Sequence, residues 1–191
     1  TARLVVMLAA VLFGLPLLSP VFILIWGLLF DFAASIVMSF EDTGKLSENK
    51  TDSFFKKSIN SVICGSVWGV LCSALIPLIR FYSSFRENAA SDGCILSVLS
   101  ASLIIGGIAV SCETMRRGSI LTKEKLNTAY AAFAVCGIVF SAVLMFTSFG
   151  ADIAQGEKAH LFSLFSLIPP AILIVLFELF KYLYKRDEEK R

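Results

Sequence analysis

Six apolar runs fill most of this 191-residue chain, at residues 1–15, 21–40, 59–82, 95–112, 128–149 and 161–180, and little is left between them. A helix needs about 20 apolar residues to cross the hydrocarbon core of a bilayer, and most of these runs are near that length. Hydrophobic residues make up 57 % of the chain and charged ones 17 %, and the mean hydropathy is +0.79. These values exclude a soluble globular domain and a disordered one. The expected fold is all-α: a polytopic transmembrane helix bundle of about six helices, forming one transmembrane domain over residues 1–191. Its first partner is the lipid bilayer. A net charge of +2 with no basic stripe points to no nucleic acid.

The cations set the expected orientation. Residues 41–57 hold Lys45, Lys50, Lys56 and Lys57, and residues 113–127 hold Arg116, Arg117, Lys123 and Lys125. The tail adds Lys181, Lys185, Arg186, Lys190 and Arg191. These thirteen fall on one side of an alternating bundle, against Arg80, Arg86 and Lys158 on the other. The positive-inside rule then predicts that both termini are cytoplasmic, with Tyr182 and Tyr184 as interfacial anchors. Both the 41–47 string and the 150–159 connection read as solvated links.

One residue breaks the apolar pattern where it should be most costly. Asp31 lies within the 21–40 run, and a charge at the middle of a spanning helix costs about 2.5–3.5 kcal/mol on insertion scales. Intramembrane acids are by default candidates for ion or proton handling. Gly14-Leu15-Pro16 through Ser19-Pro20 predicts a tight turn between the first two helices, because neither proline can continue the first. Asp31 is eleven residues past Pro20 and Arg3 eleven before Gly14, which sets each about 16 Å from the turn. An antiparallel hairpin would thus bring Arg3 to Asp31 as a counter-ion. The first run is short for a span, and this predicts a chain that continues upstream.

Other polar or bulky residues carry less. Glu113 and Glu178 are expected at the cytoplasmic edge, with Glu178 pairing to Lys181 one turn on. Gly65 and Gly69 form a GxxxG, and Gly106-Gly107 thin the fourth run; both predict close helix packing. Trp26 and Trp68 read as packing bulk, and Pro169-Pro170 as a kink in the last helix. Five cysteines at uneven spacing predict small core residues rather than disulfides. A lone histidine, His160, gives no zinc set.

The order of features resembles the C-terminal membrane region of a P-type cation-transporting ATPase, from its fifth to its tenth membrane helix. It consists of the Gly-Leu-Pro turn, Pro20-Val21, Asp31 eleven residues on, and four further helices ending in Glu178-Leu179-Phe180-Lys181. The resemblance covers essentially the whole chain and is most specific over residues 14–40. It implies a translocase that couples ATP hydrolysis to cation transport, with an integral location in the plasma membrane. ATP and Mg²⁺ would act in cytoplasmic domains upstream, and none would bind this segment. The missing N-terminal helices and those domains would be its partners. By the resemblance Asp31 is the ion-binding aspartate of the sixth helix. Gly27 and Phe30 stand where the calcium-pumping branch has Asn and Thr ligands, and Arg3 stands where it has a carboxylate. Calcium takes six to eight oxygen ligands, so H⁺ or another monovalent cation is favoured over Ca²⁺. A calcium site completed by missing helices, a non-catalytic membrane subunit and a secondary transporter are the alternatives. The last usually shows broken helices in repeated halves, and a single Pro-bracketed hairpin argues against it.

Overall fold

The computed structural model describes residues 1–32, 51–86, 90–115, 128–154, 156–158 and 162–188. Every regular element among them is helical. The links at 33–50 and 116–127, His160 and the last three residues lie outside the described set, as do the side chains of Asp31, Phe30, Glu113 and Lys181. The lysine and arginine clusters on which the expected orientation rests therefore lie mostly outside it too.

The first helix, α1, runs Ala2–Leu12 and ends where the sequence says it should. Gly14 takes φ +69°, the left-handed conformation that glycine adopts without strain. Leu15 N–H then reaches back to Ala10 O at 2.8 Å and Gly14 N–H to Val11 O at 3.1 Å, the paired bonds of a Schellman stop. Leu15 and Ala10 are buried in one cluster, which supplies the apolar contact of that motif. Helix α2, Pro20–Ile25, restarts with Pro20 in its first turn, and Ser19 Oγ accepts Phe22 N–H at 3.4 Å. Gly14→Ala should lower stability by about 1–2 kcal/mol, since a Cβ has open space there and only the backbone conformation opposes it. A melting curve of the variant checks this.

The third run becomes two collinear pieces, α3 (Thr51–Ser73) and α4 (Leu75–Arg86), with Ala74 between them. Pro77 explains the break: it has no N–H for the Ser73 carbonyl four residues back. The ladder resumes at once, because Leu78 N–H bonds Ala74 O at 3.3 Å. Together they include an apolar stretch at Val62–Phe85 long enough to cross a membrane. Helix α5, Asp92–Met115, is the second such helix, and its apolar window is 78 % buried inside the protein. It is the central post, packed by α3 and by all that follows.

Helix α6 (Thr128–Phe146) turns through 94° into α7 (Ser148–Ala154), so the 150–159 link expected to be a solvated turn starts as a packed helix. Thr147 makes the corner. Its hydroxyl donates to Val143 O at 2.8 Å and accepts Gly150 N–H at 3.0 Å, ending one helix while capping the next. Gly150, Ala151 and Ala154 are buried, and a Cβ on Gly150 would collide with the Val143 carbonyl. With this bent pair counted as one, three helical segments among the described residues are of membrane-crossing length and composition. The last run opens as a 3-10 turn, Ser163–Leu167, followed by α8, Ile168–Glu188. Pro169 and Pro170 thus start α8 instead of kinking it, in the first turn, where a missing N–H leaves no bond unmade.

The end of the molecule at the α1–α2 turn is tied together by Arg80. Its Nη1 donates to Phe13 O at 2.9 Å and its Nη2 to Asp92 Oδ1 at 3.2 Å. One guanidinium therefore caps α1 and pairs with the start of α5. Arg80 and Asp92 side chains are about half exposed, so Arg80→Ala should cost no more than about 1 kcal/mol. A drop in melting temperature of a few degrees, matched by Asp92→Asn, would be the expected readout.

Candidate functional site

The close approach of α1 to α3 is what positions Arg3. Ala2, Val6 and Ala10 form the buried stripe of α1, one residue per turn, and it lies on Gly65 and Gly69. A Cβ on Gly69 would stand 2.7 Å from Val5 Cβ and 2.9 Å from Ala2 O, and one on Gly65 would overlap the Thr1 hydroxyl. The GxxxG therefore does what small residues at such spacing do: it lets two backbones meet. Leu4, Leu8, Val11 and Leu12, on the other side of α1, are exposed.

Trp68, next to Gly69, fills the middle of the bundle. Its ring lies flat on α5 where Gly106 and Gly107 leave room; a Cβ on Gly106 would overlap the indole, and one on Gly107 would stand 3.0 Å from Trp68 Cη2. Trp26 packs on Trp68 with centroids 5.9 Å apart, and Phe22 meets Trp26 edge-on at 5.6 Å. Both tryptophans belong to the main core cluster, so the expectation of packing bulk holds. Trp26 does more than pack, however. The Arg3 guanidinium sits over its ring, Cζ 5.0 Å from the centroid. Arg3 is half-buried, and a contact of this kind is worth about 0.5–2 kcal/mol.

The helix changes character at this contact. Trp26–Asp31 is π-helical, and Phe32 N–H bonds Gly27 O, five residues back. Such widened turns are rare and often sit at functional sites. Gly27 is the second residue of the turn and Asp31 the last. A Cβ at Gly27 would lie 3.9 Å from Arg3 Nη1, an ordinary contact distance, so the guanidinium lies beside this residue. Among the four sequence candidates, Arg3 and Gly27 are thus brought into contact, and Asp31 closes the same helical turn. The Phe30 and Asp31 side chains, and with them the Arg3–Asp31 pairing, lie outside the described residues.

An open apolar groove of about 600 Å³ runs beside this hairpin, lined by Met7, Leu18, Pro20 and Ile23 among others. Among the described residues no three His, Cys, Asp or Glu side chains gather as a metal set would require. Cys72 and Cys94 are buried as expected of small core residues, whereas Cys136 is exposed. Sequence reasoning missed the aromatic bridge from Arg3 through Trp26 to Trp68. Its trace in the sequence was the pair Gly106-Gly107, which signals a large partner without naming it. No protein-family model matches the chain, and neither a characterised protein nor a solved structure does.

Proposed function

We propose that this chain is the membrane part of an ATP-driven P-type cation pump, with the transported ion bound at Asp31. H⁺ or another monovalent cation is the favoured cargo. The observation that carries the reading is the π-helical turn that ends at Asp31 and sets its Trp26 ring under the Arg3 guanidinium, with Gly27 beside it. A local break in a helix, a cation held one turn away, and an acid in an apolar run are the parts an ion relay needs. Burial favours the neutral form of an acid and a neighbouring guanidinium favours its carboxylate. A shift of α1 that moves Arg3 relative to Asp31 would therefore change how tightly the acid holds its proton.

The exterior supports a lipid setting, and the reading takes about six membrane-embedded helical segments with both termini cytoplasmic. Large apolar side chains on α1, α2, α6 and α8 face outward, among them Leu8, Leu24, Val139 and Val175. Serines meanwhile lie inside: Ser97, Ser100, Ser102, Ser141 and Ser166 are buried. Phe13, Arg80, Asp92 and Glu157 share one end, which suits the alternation that the cation count implies. ATP and Mg²⁺ would act in domains outside this chain, and the intact pump would sit in the plasma membrane. A calcium pump remains the second reading, with Arg3 in a ligand position arguing against it.

The test is ATP-driven transport by the intact protein in sealed vesicles. The proposal expects a pH gradient that builds with ATP and is insensitive to calcium chelation. ATP-dependent calcium uptake without a pH gradient would favour the second reading, and no ATP-dependent flux of any cation would overturn both.

A further inference from the structure

Serines in this bundle mostly satisfy themselves. The hydroxyls of Ser66, Ser73, Ser111 and Ser141 each donate to the carbonyl four residues earlier, and Ser102 pairs with the Cys72 thiol at 3.6 Å. Ser97 and Ser100 on α5 do neither. Both residues are 0 % exposed, and neither hydroxyl has a hydrogen-bond partner among the described residues. They stand three residues apart, on one side of α5 and about 4.5 Å apart along its axis. A buried hydroxyl left unpaired is costly in any core and more so where lipid surrounds it. Two such groups on one face, without the backbone bond their neighbours make, need a partner of another kind.

The route to them starts at the Arg80 end. Ser91 opens α5, accepting Cys94 N–H at 3.1 Å and donating to Glu157 Oε2 at 2.6 Å. Gly156, beside Glu157, rests on Ser97: a Cβ there would overlap the Ser97 hydroxyl. The cover over the first buried hydroxyl is thus a residue with no side chain, flanked by the exposed Glu157 and Lys158.

We propose that Ser97 and Ser100 line a buried water site, entered beneath Gly156 from the Glu157 end. Water supplies both a donor and an acceptor, as each hydroxyl needs, and buried waters typically bridge otherwise unsatisfied polar groups in this way. The site rests on these two hydroxyls and is independent of the pump reading.

Thiol accessibility in the intact protein, reconstituted in liposomes, tests the site without relying on transport. Ser97→Cys and Ser100→Cys are near-isosteric, and Ala101→Cys, equally buried at 0 %, serves as the control at the same depth. The membrane-impermeant reagent MTSET is added from each side in turn, with the labelling of the native cysteines subtracted. Labelling of Ser100→Cys at least 10-fold faster than Ala101→Cys, from the Glu157 side only, is the expected result. Equal rates, or reaction from the opposite side, would overturn the proposal. Ser100→Ala gives a second arm: a dry, unpaired hydroxyl would make the alanine variant melt higher, against the proposal, whereas an unchanged or lower melting temperature supports it.

Discussion

Asp31→Asn should reduce cation transport by the intact protein at least about 100-fold, the scale on which loss of a single proton-transferring group is felt. The variant keeps the size and most of the hydrogen-bonding capacity of the side chain, so folded yield should not fall. Asp31→Glu keeps the titrating group and should retain a measurable part of the flux. The physical reason lies in the medium: an ion crossing an apolar bundle needs a group that exchanges charge with it, and within residues 21–40 Asp31 is the one ionisable side chain. Flux into sealed vesicles, normalised to protein recovered as a single gel-filtration peak, decides the matter. An Asn variant that transports normally would end the pump proposal at this site.

The second large effect concerns the seating of α1. Gly69→Leu should prevent α1 from docking on α3, because the first carbon of the new side chain would already stand 2.9 Å from the Ala2 carbonyl. Backbone cannot yield as the tip of a flexible side chain can, so the loss should reach or exceed the roughly 3 kcal/mol upper end of ordinary overpacking. Arg3 would leave Trp26 as α1 lifts, and transport should fall together with stability. Val70→Leu, one residue on but 59 % exposed, is the control and should change stability by less than about 0.5 kcal/mol. Thermal melts in detergent, with tryptophan emission reporting on Trp26 and Trp68, would separate the two. Equal melting temperatures would mean that α1 is not held at Gly69.

Much of the helical layout was legible because apolar runs and their breakers are local properties. The Gly14 stop, the Pro20 start and the Gly65–Gly69 contact could each be read from residue type alone. Direction was harder to read. The α6 and α8 surfaces carry apolar side chains outward as well as inward, so hydropathy cannot show where a run bends. The 94° corner at Thr147 therefore looked like a continuous run, and Pro169-Pro170 looked like a kink when they begin a helix. Pro77 was in plain view and sets the join between α3 and α4, yet the uninterrupted hydropathy around it masked the change. The Arg80 clamp needed three segments far apart in sequence, which no local pattern records.

For the candidate site, an acid inside an apolar run named Asp31, and equal distance from the turn put Arg3 at similar depth. The π-helical turn was invisible, since one extra residue per turn alters hydrogen bonding without altering composition. Nor did spacing reveal that Arg3 would rest on Trp26: a guanidinium over an indole depends on the two helices' rotation, which is set by the α1–α3 contact outside the hairpin.

The central claim is that the Asp31 carboxyl gains and loses its charge as the protein works. Infrared difference spectra of the intact protein, recorded between ATP-free and ATP-cycling states, report this directly through the C=O stretch of a protonated carboxylic acid. The account predicts a band that appears and disappears with turnover and is absent from Asp31→Asn. No turnover-dependent band, or the same band in the Asn variant, would contradict it.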